Sequence, residues 1–238
     1  MAKSPKPEKE RLTEQPLLPR EPNTEKAQQS REQYLGLARV ALKKEFANYH
    51  ALFQTYAGND DSHNVQQLDQ TVARVALQAG HSPRQVIQFI AQGPFVQFET
   101  RLHSPEENKA ALPNLLHYAK TQVEAAQQLR YTEYANEATG IIQGYGELYR
   151  EYISSDLVAI QLDQKVVAAA LRAGESAEAV VHLLYQGPYA RFQQGVKGMD
   201  ADALEQYAKG TVAQVQAIQV VPVLGEGATG RAGMVRDE

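Results

Sequence analysis

The segment QLDQTVARVALQAGHSPRQVIQFIAQGPFVQF, beginning at Gln67, returns as QLDQKVVAAALRAGESAEAVVHLLYQGPYARF, beginning at Gln161. About half of the aligned positions are identical, no gap is needed, and the offset is constant, Asp163 minus Asp69 being 94. Self-similarity of this length predicts one structural unit written twice, since each copy must satisfy the same local folding code. Fainter matches extend it on both sides: Tyr49, Leu52 and Tyr56 answer Tyr145, Leu148 and Tyr152, and Tyr118-Ala119-Lys120 answers Tyr207-Ala208-Lys209. The two helical repeats are expected to cover residues 29–128 and 129–220.

Each unit reads as helices, which makes the expected fold all-α, a tandem duplication of a roughly 90-residue multi-helix module. Leu68, Val72, Val75 and Ala76 recur at helical spacing, and Gly80 sits where a left-handed residue ends a helix. Ser82 then supplies an N-cap with Pro83 at the first helical position, and Val86, Ile87 and Ile90 point one way. Gly174 and Ser176 repeat this corner. Gly93-Pro94 and Gly187-Pro188 break the chain again and start third short helices bearing Phe95 and Phe98, or Tyr189 and Phe192. Long helices are predicted over 31–57 and 113–130 in the first copy, and over 131–153 and 200–219 in the second. Residues 1–28, rich in Lys, Glu and Pro, and the Gly-rich 221–238 have too few large apolar groups to offset ordering entropy and are expected to be disordered tails.

Composition removes several kinds of chemistry. With no cysteine among 238 residues there is no disulfide framework, thiolate metal site or cysteine nucleophile. No stretch approaches the roughly 18 apolar residues of a membrane span and the N-terminus lacks a secretory apolar run, so a cytoplasmic location is expected. The net charge of −4 disfavours a generic grip on nucleic acid.

Most of the shared signature is what a tight helix–turn–helix corner needs: Ala79 and Ala173 for close packing, Gly80 and Gly174 for positive φ, Ser82 and Ser176 for the caps, and Gly93, Pro94, Gly187 and Pro188 for the next helix start. Asp69 and Asp163 are the repeated carboxylates and count, with the tyrosines named below, among the candidate binding residues. Read as first-turn residues, they complement a helix dipole; as a pair they would be the candidates for acid–base work, though symmetry-related copies of an element usually stand far apart. The six histidines, His50, His63, His81, His103, His117 and His182, offer no i, i+4 pair on a helix, so no metal or other cofactor is expected. Tyr145, Tyr149 and Tyr152 form a helix face that Tyr49 and Tyr56 partly reproduce, and this stripe is the candidate binding surface, either core or partner interface. The glycine clusters GIIQGYG and GEGATGRAG lack the strand–turn–helix setting of a phosphate cradle.

The stretch DQTVARVALQAGHSPRQVIQFIAQGP, with its counterpart at 163–188, resembles a short helical module of plasmid mobilisation and replication proteins of the relaxase and primase kind, especially cyanobacterial ones. In that module an Asp begins a helix ending in Gly, and a Ser-capped helix closes on a small residue and Pro. The resemblance implies an accessory role beside nucleic-acid enzymes, and neither the histidine cluster with nucleophilic tyrosine of relaxases nor the carboxylate metal site of primases has a match here.

Two functions are therefore expected in order. The first is a non-enzymatic helical-repeat protein whose partner is another protein, a second copy of the chain included. The second is an accessory factor of mobile-element replication or transfer that touches nucleic acid through local basic residues, among them Lys43, Lys44, Arg74, Arg84 and Arg101.

Overall fold

A computed structural model describes residues 21–57 and 62–220. The expected C-terminal tail and residues 1–20 of the N-terminal one lie outside the described residues. Every regular element among the described residues is a helix: α1 (Glu25–Leu42), α2 (Tyr49–Ala57), α3 (Ser62–Gln78), α4 (Pro83–Ile90), α5 (Pro94–Arg101), α6 (Pro105–Thr139), α7 (Tyr145–Tyr152), α8 (Asp156–Arg172), α9 (Ala177–Leu184), α10 (Pro188–Gly195) and α11 (Ala201–Val220). The fold is all-α, and none of these helices is long and apolar enough to cross a membrane.

Local chemistry sets most of the boundaries. Ser82 accepts from the Gln85 backbone N–H while the Gln85 side chain answers the Ser82 N–H, a capping box that starts α4 with Pro83 at its first position. Ser104 and Glu107 do the same for α6, and Ser176 caps α9. Such caps contribute about 1 kcal/mol each. Gly80 and Gly174 take φ of 87° and 89°, the left-handed residues the corner demands. Ala79 and Ala173, expected to pack closely there, are instead exposed, because the corner turns at the surface.

Three boundaries differ from expectation. Helix begins at Glu25, not near 29, because Thr24 caps it by accepting from the Ala27 N–H. The helix expected over 31–57 breaks at Lys43, whose left-handed φ of 50° ends α1, and Arg39 stitches the break by donating to the Phe46 carbonyl. Sequence periodicity could not show this, since no Gly or Pro marks the spot. The helices expected over 113–130 and 131–153 are rearranged more deeply. Residues 105–139 form one helix of 35 residues, about 52 Å long at 1.5 Å per residue, which passes straight through the expected repeat boundary. It ends at left-handed Gly140, where Asn136 pairs with Gln143 as Arg39 does with Phe46, and α7 follows.

Pro113 sits in the third turn of α6, and the exposed stretch before it is anchored by the Ser104–Glu107 capping box and by Asn108, whose side-chain amide donates to the Thr100 and His103 carbonyls. Leu115, Ala119, Val123 and Ala126 are buried with α3 and α4, and Tyr131 and Ala135 with α8 and α9. Packing of the stretch after Pro113, together with the anchors before it, offsets the roughly 3 kcal/mol that an interior proline costs. One core gathers Tyr34, Leu52, Phe53, Leu68, Val72, Val86 and Ile90, and the other Tyr131, Leu148, Leu162, Val166, Val180 and Leu184. The long helix thus closes the first cluster with its N-terminal half and opens the second with its C-terminal half, as α1 opens the first and α11 closes the second.

Candidate functional site

Asp69 and Asp163 occupy neither first turn nor surface. Each is the eighth residue of a 17-residue helix, α3 or α8, and each is fully buried. Around Asp69, Tyr34 of α1 donates its hydroxyl to Oδ1 at 2.5 Å and Tyr118 of α6 donates to Oδ2 at 2.8 Å. Around Asp163, Tyr131 of α6 donates to Oδ1 and Tyr207 of α11 to Oδ2 at 2.5 Å. The carboxylate ties its own helix to two others, and both oxygens are satisfied. The dipole reading of these residues, and their place among the candidate binding residues, are therefore replaced by a packing role.

Gly93 and Gly187 explain the Gln-Gly-Pro signature. A Cβ on Gly93 would stand 2.7 Å from Asp69 Oδ1 and 2.9 Å from the Tyr34 ring, and one on Gly187 would collide with the Asp163 carboxylate. Glycine is required there for close approach, since both residues have ordinary negative φ. Further tyrosines fasten the same turns: Tyr49 donates to the Gln92 carbonyl at 2.5 Å, and Tyr145 to that of Gln186. Phe95 rests on Tyr118 and Tyr189 on Tyr207, with ring centroids 4.2 and 4.4 Å apart.

Burial in this apolar surrounding raises both carboxyls from their ordinary 3.8 to about 7, desolvation outweighing the tyrosine hydrogen bonds that pull the other way. The phenols of Tyr34, Tyr118, Tyr131 and Tyr207 are pushed up, by burial first and by the aspartate second. A carboxyl near neutrality is what acid–base catalysis uses, but it must reach a substrate proton. With no exposed surface, these two reach only their tyrosines. Tyr34, Tyr118, Tyr131 and Tyr207 were absent from the candidates read in the sequence. Tyr34 and Tyr131 lie outside the gapless match, and only their spacing of 97, shared by the Lys43 and Gly140 breaks, hints at their equivalence.

The tyrosine stripe divides. Tyr49 is buried, Tyr56 and Tyr152 pack in part against the two cores, and Tyr145 and Tyr149 line a surface groove. This groove, about 420 Å³, lies between α7 and α10 and is completed by Arg191, Gln194 and Gly195. Tyr145 and Tyr149 stack at 6.3 Å. Burial raises the Tyr145 phenol to about 12, with Arg191 opposing. A second groove of about 500 Å³ runs between α9 and α11, with Val181, Val212 and Tyr185 as apolar lining and Glu178, His182, Glu205 and Lys209 as polar lining.

Part of the charge is paired within the chain. Arg74, one of the expected nucleic-acid contacts, pairs with Glu133 at 2.8 Å, Lys197 with Asp156 at 2.9 Å and Lys209 with Glu205 at 2.5 Å. Arg130 and Glu175 form an ion pair almost sealed from solvent, and Tyr134 donates to the same carboxylate at 2.8 Å. His81 and His182 stand edge-on to Phe89 and Tyr185. Among the described residues no group of three or more His, Asp or Glu is placed to hold a metal ion.

No family model, no curated protein and no solved structure matches this chain.

Proposed function

We propose that this chain is a non-enzymatic, tandem-repeat helical protein of the cytoplasm that works by binding another protein. The observation that supports it is the burial of the repeated chemistry. Asp69 and Asp163, the carboxyls that the two copies share, are fully buried and saturated by tyrosine hydroxyls, so the repeated signature serves the fold. What faces solvent instead is a pair of grooves between helices, lined by aromatic and apolar side chains with a few charges, the composition in which partner anchors sit. The matching hydrogen bonds at the two aspartates also support duplication as the origin of the two halves.

Capture of the tagged full-length chain from its own host, with and without nuclease, tests the reading. Partners that persist after nuclease and at moderate salt are expected. Partners that vanish with nuclease, or affinity that falls steeply with salt, would replace it with the nucleic-acid accessory role that the resemblance to plasmid proteins implies. A turnover abolished by Asp69→Asn and Asp163→Asn in a folded chain would replace it with an enzyme.

A further inference from the structure

The groove between α7 and α10 differs from its counterpart in the first half in a way that specifies a ligand. There, Tyr49 answers Tyr145, and the space beside its ring is filled from within: Arg31 of α1 lies 4.8 Å over the Tyr49 ring and donates to Gln97 Oε1 at 2.9 Å. Arg31 is buried, and burial lowers its pKa, opposed first by Tyr49 and then by Glu21. In the second half the position of Arg31 holds Gln128, which turns to Gln186. The cation has moved to α10, where Arg191 stands in place of Gln97.

Arg191 has no acid of its own. Among the described residues no carboxylate comes within ion-pair distance of it, and no hydrogen bond engages its side chain. The nearby acids of α7 are committed elsewhere, Glu147 to the Gly144 N–H and Glu151 to the Gln143 amide. Arg150 bonds back to the Gly146 carbonyl. Two further replacements distinguish the two halves here. Gly195 replaces Arg101, with nothing within 4 Å of where its Cβ would be, and Tyr149, partly exposed, replaces the fully buried Phe53. An unpaired guanidinium beside stacked phenol rings suits a carboxylate whose aliphatic stem can lie against the tyrosines.

We propose that the groove lined by Tyr145, Tyr149 and Arg191 binds an acidic peptide segment of a partner protein, a glutamate or aspartate carboxylate pairing with Arg191 and its side-chain stem packing on Tyr149. This rests on the protein-binding reading and adds the partner's chemistry to it.

The test is fluorescence anisotropy of a labelled short polyglutamate peptide titrated with the full-length chain, with polylysine and an oligothymidylate of equal length as controls. Polyglutamate is expected to bind, polylysine and oligothymidylate not. Arg191→Gln, which restores the residue of the first half, is expected to weaken polyglutamate about five-fold, the scale of a half-exposed ion pair. Arg191→Lys should keep most of the affinity, and Arg150→Gln all of it. Melting temperatures within a degree or so of the parent's, as for ordinary surface changes, certify the variants as folded. Equal polyglutamate binding by the parent and Arg191→Gln would overturn the proposal, as would no binding at all or a preference for oligothymidylate. A host partner captured equally by the parent and by Arg191→Gln would also overturn this groove while leaving the protein-binding reading intact.

Discussion

Raising the pH from about 5 to about 8 should destabilise this protein, against the common behaviour of carboxylates whose native pKa is depressed. The groups responsible are Asp69 and Asp163, which burial lifts from 3.8 to about 7. Between those two values the native state holds protons that the unfolded chain has released. Stability therefore falls as pH rises through the window, by about 1.4 kcal/mol per pH unit for each carboxyl, and flattens above 7. Over the full window each carboxyl is worth about 4 kcal/mol, an appreciable part of the 5–15 kcal/mol of a typical domain. The assay is urea unfolding followed by far-ultraviolet circular dichroism at closely spaced pH values. The midpoint should drop from pH 5 to 7. Asp163→Asn keeps the shape and one acceptor but cannot ionise, so it should remove about half of the slope. Unfolding midpoints that stay level or rise across the window would refute the reasoning, and so would an Asp163→Asn protein with the full slope.

Gly187→Ala should cost roughly 2 kcal/mol, since the added methyl meets a fixed carboxylate in a packed interior, whereas Gly195→Ala, in open space within a helix, should cost nothing; thermal melts compare them. Gly80→Val and Gly174→Val should each lose more than about 1 kcal/mol through the left-handed backbone alone, and equal losses at Gly36, which is helical and uncrowded, would argue against that cause. Glu175→Gln should lose about 3 kcal/mol by leaving the buried Arg130 guanidinium without its counter-charge, and pairing it with Arg130→Met should recover part of that loss in a double-mutant cycle.

The short helices were legible in the sequence because their signals are local. Ser82 with Gln85, Pro83, Gly80, Gly93-Pro94 and their counterparts act over four or five residues, and the structure uses them as caps, helix starts and left-handed stops. The apolar spacing of Leu68, Val72, Val75 and Ala76 likewise put the right face inward, with Val75 only partly buried against the core. Other features depended on contacts far along the chain. Lys43 ends α1 without a breaker residue where Arg39 can reach the Phe46 carbonyl, and α6 continues through Pro113 with Asn108 anchored to the Thr100 and His103 carbonyls on one side and the two cores gripping the helix on the other. The candidate site shows the same division. Asp69 and Asp163 stood out by repetition alone, but their role rests on Tyr34 and Tyr118, 35 and 49 residues away, and on Tyr131 and Tyr207, 32 and 44 residues away. Sequence alone determined that the carboxyls recur and that glycine follows them at a fixed distance. Tertiary structure decided that these carboxyls are sealed between helices, since hydrogen-bond partners are chosen by which side chains packing brings within 3 Å, and that choice belongs to the whole core.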